Sequence, residues 1–325
     1  APGSPERHTD EALSAAMKIL VNSAYGYLGA PGLTRFADVH AANEVTRRGR
    51  AVLGLLCREL AARGATLLEG DTDGVYFAVP DGWSEADERR IVAEVAALLP
   101  PLVRLEFEGR YAAMLSHEPK NYALLAWDGA LTLRGVAFRS SRAEPFGEVF
   151  LREAIAALLA GDISGVRRAY LAMADTLQRR TLSTHLVAAR VRLNKTPSQY
   201  LATRSARREA PYEALLASGR TAWEHGERVR VYRATGGQPA LLQAADEGDD
   251  NVESDEGDPR DYDALHYLRL LRGTFAARLA RAFTPEDFAT LFDNPLQPSL
   301  FAAPIETIRP LLTAQMTPPV EGDER

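Results

Sequence analysis

The chain has one cysteine, three lysines and no long apolar run. The lack of cysteines and of apolar runs excludes several classes of protein. A single cysteine, Cys57, among 325 residues excludes an internal disulfide framework and a cluster of thiolate metal ligands. No apolar stretch approaches the roughly 20 residues that span a bilayer, and no basic-then-apolar leader begins the chain. We therefore expect a cytoplasmic protein with no membrane partner.

Composition and charge set the next bounds. Apolar residues make up 46% and charged residues 25%, which excludes a disordered or collagen-like chain, and the length predicts about two domains of ~150 residues. The net charge of −6 argues against a nucleic-acid partner. However, residues 246–258 hold eight acids and no base, so the chain would carry +2 without them. We expect this acidic run to be a solvated loop or a disordered insert.

Arginine supplies nearly all the positive charge. Of 38 basic residues only Lys18, Lys120 and Lys195 are lysines. A lysine carries a compact point charge on a flexible stem, whereas arginine carries a planar fork. These three positions are therefore candidates for a role that arginine does not fill.

Hydrophobic periodicity and turn residues predict an α+β fold. Three helices are predicted in the first part of the chain, over 10–25, 38–63 and 84–99. Asp38 is the expected N-cap of the second helix, and Ser84 begins the expected capping box of the third. Residues 65–79 are predicted to form a β-hairpin, and further strands are predicted over 102–108, 122–127 and 130–136. Helical periodicity returns over 148–182 and 261–293, with a short strand over 228–233, and a proline-rich tail covers 294–325.

Three polar side chains of the first helix share one face. Lys18, Asn22 and Tyr25 stand at i, i+4 and i+7. An ammonium, an amide and a phenol suit a ligand with an anionic and a planar end, such as a nucleoside triphosphate; the alternative is a solvated face. The string from Lys18 through Gly26 to Gly29 resembles the KxxxNSxYGxxG motif of family B DNA polymerases.

Two aspartates occupy the predicted hairpin tip. Asp71 and Asp73 present carboxylates of the kind that Mg²⁺ takes together with substrate phosphates. Ordinary turn aspartates are the alternative, and a calcium loop is excluded because Val75 and Tyr76 stand at its fifth and sixth positions. The string resembles the D-T-D-S motif of the same family, and residues 43–50 resemble its T-x-x-G-R segment.

This second motif departs from the family pattern at two positions. Gly74 replaces the usual serine, and Glu69 stands where an aromatic residue is common. The extra carboxyl group either perturbs metal binding at the hairpin tip or faces away from it. The sequence leaves both alternatives open.

Further segments resemble DNA-contacting elements of the family. Lys120 and Tyr122 lie in a string similar to the K-K-R-Y element that contacts the primer, with Asn121 in place of one cation. Gly135 and Arg139 match the G-x-x-x-R step from palm to thumb. The segment 191–200, which contains Lys195, loosely resembles the thumb's K-x-L…Y neighbourhood.

A pentapeptide in the tail carries a partner prediction. Gln297, Leu300 and Phe301 resemble the Q-x-S-L-F peptide with which bacterial polymerases dock onto the sliding clamp. A disordered segment of this kind places two apolar anchors in a groove. Within family B, this peptide makes the bacterial DNA polymerase II type the expected likeness, and a bacterial nucleoid the expected location.

The resemblance implies a palm with an antiparallel sheet and covering helices, followed by a mainly α-helical thumb. The implied division is the end of the fingers over 1–30, palm over 31–145, thumb over 146–293 and tail over 294–325. The implied reaction is dNTP addition to a primer 3′-OH, with two Mg²⁺ ions activating the nucleophile and stabilising the leaving pyrophosphate. The implied roles are metal binding by Asp73 with Asp71, triphosphate neutralisation by Lys18, base-pair pocket formation by Asn22 and Tyr25, and primer holding by Lys120 and Tyr122.

Two family motifs have no counterpart in this sequence. The D-x-x-S-L-Y-P-S string, which carries another catalytic aspartate, does not occur, nor does the D-x-E proofreading motif. We therefore expect the chain alone to be inactive and to need an N-terminal half that supplies both. A non-catalytic DNA- and clamp-binding module or a gene remnant is the alternative, and another palm-type nucleotidyl enzyme such as a cyclase is a third.

Overall fold

A computed structural model describes residues 5–70, 74–140, 142–242, 258–293 and 304–311, with side chains omitted for 5–9 and 11. The described chain divides into two compact units, with the boundary in the sequence between Glu108 and Gly109. Helices and three small antiparallel sheets confirm the predicted α+β class. No helix among these residues has the length and apolarity to cross a bilayer.

The described part of the first unit contains three helices and one pair of antiparallel strands. Its elements are α1 (Pro5–Leu28), α2 (Val39–Ala62), β1 (Thr66–Gly70), β2 (Val75–Ala78) and α3 (Glu85–Ala96). Periodic apolar residues of α2, β1 and α3 meet in one buried core, whose members include Leu56, Cys57, Leu67, Ile91 and Val95. The expected helices and hairpin strands are confirmed, with α1 extending further at both ends.

Both predicted N-caps of this unit are present. The carboxylate of Asp38 accepts a hydrogen bond from the backbone N–H of Ala41 at 2.9 Å. Ser84 and Asp87 form the reciprocal capping box, in which each side chain accepts from the other residue's backbone N–H. Such caps satisfy N–H groups that a helix start leaves without partners.

The predicted strand over 102–108 was wrong. These residues form no ladder with any described strand. The alternation itself is real, because Leu105 and Phe107 are partly buried against the first unit's core while Arg104 and Glu106 are exposed. A period of two establishes which side chains turn inward, but a strand also needs a neighbouring backbone.

The second unit begins with a three-stranded sheet that the sequence predicted only in part. Strand β3 (Ala113–Glu118) was missed, and it pairs with β4 (Asn121–Leu125), which pairs with β5 (Leu131–Arg134). Leu115, Ala123 and Leu133 share a core with Phe146 and Phe150 of the following helix. Packing therefore groups this sheet with the helices after it, whereas the expected palm boundary falls at 145/146.

The remaining elements of the second unit surround two apolar cores. The predicted helix over 148–182 is two helices, because Gly161 adopts a φ of +77° and Asp162 caps the second one. In order, the elements are α4 (Pro145–Leu159), α5 (Ile163–Arg179), α6 (Thr184–Val187), β6 (Ala189–Arg192), α7 (Pro197–Thr203), α8 (Ala210–Ala217), β7 (Arg228–Arg233), β8 (Pro239–Leu242), α9 (Ala264–Leu270), a π-helical turn (Leu271–Phe275), a 3₁₀ segment (Ala276–Ala282), α10 (Pro285–Leu291) and a short 3₁₀ turn (Ile305–Thr307).

Strands β6, β7 and β8 form an antiparallel sheet in chain order. Val229 and Val231 on one of its faces pack with Tyr200, Tyr212 and Trp223 in a core separate from that around Phe146, which takes Tyr232 from the other face. The predicted strand over 228–233 is thus confirmed as the central strand of this sheet.

Candidate functional site

Helix α1 presents the predicted polar stripe to solvent. It is helical through Lys18, Asn22 and Tyr25, and all three side chains are exposed. Every residue from 12 to 27 whose side chain is described is exposed, including the large apolar residues Ile19 and Leu20. The polar stripe and the apolar residues of α1 are therefore both accessible in the described part of the chain.

A hydrogen bond joins this stripe to the next helix. The hydroxyl of Tyr25 lies 3.1 Å from Oγ1 of Thr46, which donates its own proton to the carbonyl of Ala42 at 3.0 Å. A hydroxyl has one proton, so Tyr25 is the donor and Thr46 the acceptor. Thr46 opens the T-x-x-G-R segment, so the two motifs are directly connected. Spacing in the sequence gave no signal of this contact.

The loop after α1 is held by a second tyrosine. The hydroxyl of Tyr27 accepts hydrogen bonds from the backbone N–H groups of Arg35 and Phe36, at 3.1 and 3.3 Å. Thr34 donates to the carbonyl of Tyr27 at 2.7 Å, and the N–H of Asp38 donates to the carbonyl of Leu28 at 3.0 Å. These bonds close the loop over 29–38 and orient α1 relative to α2.

The β-hairpin ends on either side of the predicted carboxylates. Gly70 pairs with Val75, and the register skips Leu68, which makes a bulge two residues before the strand end. Asp71 and Asp73 lie outside the described residues, so their placement as metal ligands stays a prediction. Glu69 is only 4% exposed, so it is buried in the unit one residue before the end of strand β1.

No group of three metal-binding side chains occurs among the described residues. Metal binding by Asp71 and Asp73, which lie outside the described residues, stays a prediction. Two carboxylates together with phosphate oxygens are the donor set that Mg²⁺ commonly accepts.

In the second unit, the structure brings together two motifs that lie 15 residues apart. A Cβ on Gly135 would come closer than 3.0 Å to the carbonyl oxygen of Lys120 and to Asn121. Asn121 accepts a hydrogen bond from the N–H of Ala137 at 2.8 Å, and the N–H of Arg139 donates to the carbonyl of Gly135 at 3.0 Å. Glycine is required here by space as well as by its φ of +83°.

The side chains around this turn divide into exposed cations and a buried phenol. Lys120 and Arg139 are exposed, and Lys120 adopts a φ of +65°, which is uncommon for a residue other than glycine. Tyr122 is 9% exposed, so most of its ring packs inside the unit. The turn therefore displays two positive charges on a closely packed backbone.

The structure places Lys195 in a network of its own. Its ammonium lies 2.6 Å from Glu209 and donates to Thr203 at 3.3 Å. Its backbone carbonyl accepts from the indole of Trp223 at 2.9 Å. A DNA phosphate at this position would compete with an existing carboxylate partner. Gln297, Leu300 and Phe301 lie outside the described residues.

Comparison with known proteins identifies the family. The sequence model of DNA polymerase family B matches residues 5–230. "DNA polymerase 1" of Pyrococcus abyssi (strain GE5 / Orsay) is 38% identical over 124 residues, 37% of this chain and 16% of the relative. The DNA polymerase of Thermococcus sp. (strain 9oN-7) is 27% identical over 276 residues, 82% of this chain and 34% of the relative.

A solved structure shows the same fold. The family B DNA polymerase from the hyperthermophilic archaeon Pyrobaculum calidifontis superposes with a TM-score of 0.59 and 20% identity, over 86% of this chain and 34% of that chain. The fold is thus that of a family B DNA polymerase, and the family model matches more than half of this chain. The chain belongs to DNA polymerase family B.

The length and the organisms of the matched relatives limit what the comparison shows about this chain. The chain spans about a third of the Thermococcus relative and less of the Pyrococcus one. These relatives are archaeal, so they do not support the expected likeness to the bacterial polymerase II type, which stays a prediction.

Proposed function

We propose that the chain is the C-terminal part of a DNA-directed DNA polymerase, which extends a primer 3′-OH with dNTPs under template direction. Family membership supports this function. The observation that carries it is the exposed stripe of Lys18, Asn22 and Tyr25, with Tyr25 bonded to Thr46 of the neighbouring motif.

In this proposal the stripe binds the incoming dNTP. The ammonium of Lys18 neutralises the triphosphate as a point charge that tolerates a moving substrate. Asn22 and Tyr25 shape the pocket of the new base pair, and Gly26 leaves the space beside them open, because no atom lies within 4 Å of a Cβ there. The bond to Thr46 holds the Tyr25 phenol in one orientation.

The carboxylates of Asp73 and Asp71 hold Mg²⁺ in this proposal. When bound, two Mg²⁺ ions would polarise the primer hydroxyl and neutralise the pyrophosphate. The chain's own contribution is positional: β1 ends at Gly70 and its partner β2 begins at Val75, the two described residues that flank this segment most closely in the paired strands. A third carboxylate from another segment would complete the set.

The primer strand is assigned to the turn of the second unit. Lys120 and Arg139 present exposed cations, and Gly135 packs against the Lys120 backbone and keeps it in its unusual conformation. Unusual backbone conformations at exposed polar positions are often retained for function. Tyr122 is buried in strand β4 next to Lys120 and Asn121 and is assigned a supporting role in holding the primer. Lys195 is assigned a further phosphate contact.

Three features of the first unit support a partner half of the polymerase. The residues of α1 are exposed, including apolar ones. The hairpin sheet has two strands among the described residues, although three are usually needed for independent stability. Residues 102–108 form no ladder with a described strand, although Leu105 and Phe107 pack against the core. We infer that an N-terminal half, carrying the exonuclease and the other catalytic aspartate, covers these surfaces.

The palm and thumb division, the clamp-binding role of Gln297, Leu300 and Phe301, and the bacterial polymerase II type belong to the same proposal. The second candidate is a non-catalytic module that binds DNA and the sliding clamp. It is favoured by the positive turn at Lys120 and Arg139, which needs no catalytic partner.

Primer extension tests the proposal. The chain is assayed with Mg²⁺, dNTPs and a primer–template, alone and with the polypeptide encoded upstream of it. We expect extension only with both parts, and its loss in Asp73→Asn. Extension that survives Asp73→Asn would refute the metal assignment. DNA binding with no extension under either condition would support the module instead.

A further inference from the structure

Four arginines form two direct cross-strand pairs in the β6–β7 sheet. Arg190 is opposite Arg230, and Arg192 is opposite Arg228. Directly opposed residues point to the same face, with Cβ atoms about 5 Å apart. All four side chains therefore lie on one face, which we call the arginine ladder.

The other face of these strands is apolar. Val191 is opposite Val229, and Ala189 is opposite Val231. Val229 and Val231 are buried in the core around Tyr200 and Trp223. The alternation leaves the arginine ladder on the side away from this core, with Arg192 and Arg228 exposed and Arg190 and Arg230 half-buried.

Three of the four guanidinium groups have no partner in the described part of the chain. Arg190, Arg192 and Arg228 make no side-chain hydrogen bond or ion pair there. The adjacent acid, Glu227, is already paired with Arg220 at 2.7 Å. Other exposed arginines of this unit do have carboxylate partners, as in Arg152–Glu148, Arg168–Asp162 and Arg179–Asp175.

This arrangement costs stability in the free protein. Like charges directly opposite each other on a sheet repel, and no described carboxylate offsets the three unpaired groups. An anion placed along the ladder would remove the repulsion. Arginine forks bind phosphate oxygens bidentately, and two rows of cations match a chain of anions better than one isolated anion.

We propose that the arginine ladder is a binding surface for the phosphate backbone of the primer–template duplex. The proposal rests on the proposed polymerase function, which supplies the nucleic acid. Of its four arginines, only Arg192 lies within a segment that resembles a family motif, namely 191–200. Because the ladder offers cations to phosphates, its contribution to affinity is independent of base sequence.

The test compares two triple variants that remove the same charge. The ladder variant carries Arg190→Gln, Arg192→Gln and Arg228→Gln, and the control carries Arg152→Gln, Arg168→Gln and Arg179→Gln. Binding of a fluorescent duplex is measured by anisotropy from 50 to 300 mM salt. Each phosphate contact contributes about 0.9 to the slope of log K against log salt.

We expect the ladder variant to reduce that slope by about 2 to 3 and to weaken binding at least tenfold at low salt. The control should stay close to wild type. The ladder variant should also melt at or above the wild-type temperature, because repulsion has been removed, which separates lost binding from lost folding.

Several outcomes overturn the proposal. An unchanged salt slope in the ladder variant would show that the arginine ladder does not contact DNA phosphates. An equal loss of duplex affinity in both variants would show an effect of net charge alone. Binding of polyglutamate is measured in parallel. If the ladder variant loses polyglutamate binding but keeps duplex binding, the arginine ladder binds acidic peptides instead. Absent wild-type duplex binding refutes the DNA partner itself. Failed primer extension with the ladder effect present refutes catalysis but leaves the ladder standing.

Discussion

The hydroxyl of Tyr25 donates a hydrogen bond to Oγ1 of Thr46 and so joins two helices of the first unit through a side chain of the candidate nucleotide stripe. The two residues are 21 positions apart in the sequence, and the side chains described for residues 12 to 27 of α1 are all exposed. One bond therefore connects the orientation of the phenol to the packing of the neighbouring helix.

A double-mutant cycle with Tyr25→Phe and Thr46→Val measures this connection. An exposed hydrogen bond contributes at the low end of about 0.5–1.5 kcal/mol, so we expect a coupling of roughly 0.5 kcal/mol. Urea unfolding of the first unit gives the free energies. Strictly additive single effects would show that the bond does not form in solution.

Replacement of Gly135 by alanine should destabilise the second unit strongly. The new Cβ would meet the carbonyl of Lys120 and the side chain of Asn121, and a φ of +83° is unfavourable for alanine. Gly129→Ala is the matched control, because Gly129 has a φ of +85° and no atom within 4 Å of its Cβ position.

We expect about 1 kcal/mol of destabilisation for Gly129→Ala from the backbone conformation alone. Gly135→Ala should add a further ~1–3 kcal/mol from the steric conflict. Urea unfolding followed by tryptophan fluorescence compares the two. Equal losses would mean that Lys120 and Gly135 are not in close contact.

Acid should weaken the second unit through Glu213. The guanidinium of Arg204, with Nε at 2.7 Å and Nη2 at 2.9 Å, and the hydroxyl of Tyr200 lower the pKa of Glu213 from 4.5 to about 2. The ionised form is thus favoured in the folded state. Its stabilisation is complete above pH 4.5 and is lost as the pH falls towards 2.

Glu213→Gln should therefore flatten the dependence of stability on pH between about 5 and 2. Unfolding midpoints in urea at a series of pH values provide the measurement. Glu148→Gln is the control, because Glu148 makes one ion pair with Arg152 at 3.4 Å on an exposed helix face. A wild-type slope in Glu213→Gln would contradict the lowered pKa.

The single cysteine should report unfolding of the first unit. Cys57 is fully buried, and burial raises the pKa of its thiol, so the reactive thiolate is scarce. We expect labelling by a water-soluble disulfide reagent to be at least 100-fold slower in the native protein than in urea. Fast native labelling would show that α2 separates from the hairpin.

The sequence predicted the helices and the motif strings well, because both depend on nearby residues. The caps at Asp38 and Ser84 use residues within one helical turn. The strand predicted over 102–108 failed because pairing depends on a backbone elsewhere, whereas β3 was missed although it pairs with a predicted strand.

Residue types and their spacing by themselves determined the α+β class, the polar stripe of α1 and the family resemblance. Only tertiary structure decided which separate segments meet. It joined Tyr25 to Thr46, placed Gly135 on the backbone of Lys120, gave Lys195 a carboxylate partner and aligned Arg190 with Arg230. Local spacing follows from backbone geometry, but these pairs depend on strand register and on packing between distant segments.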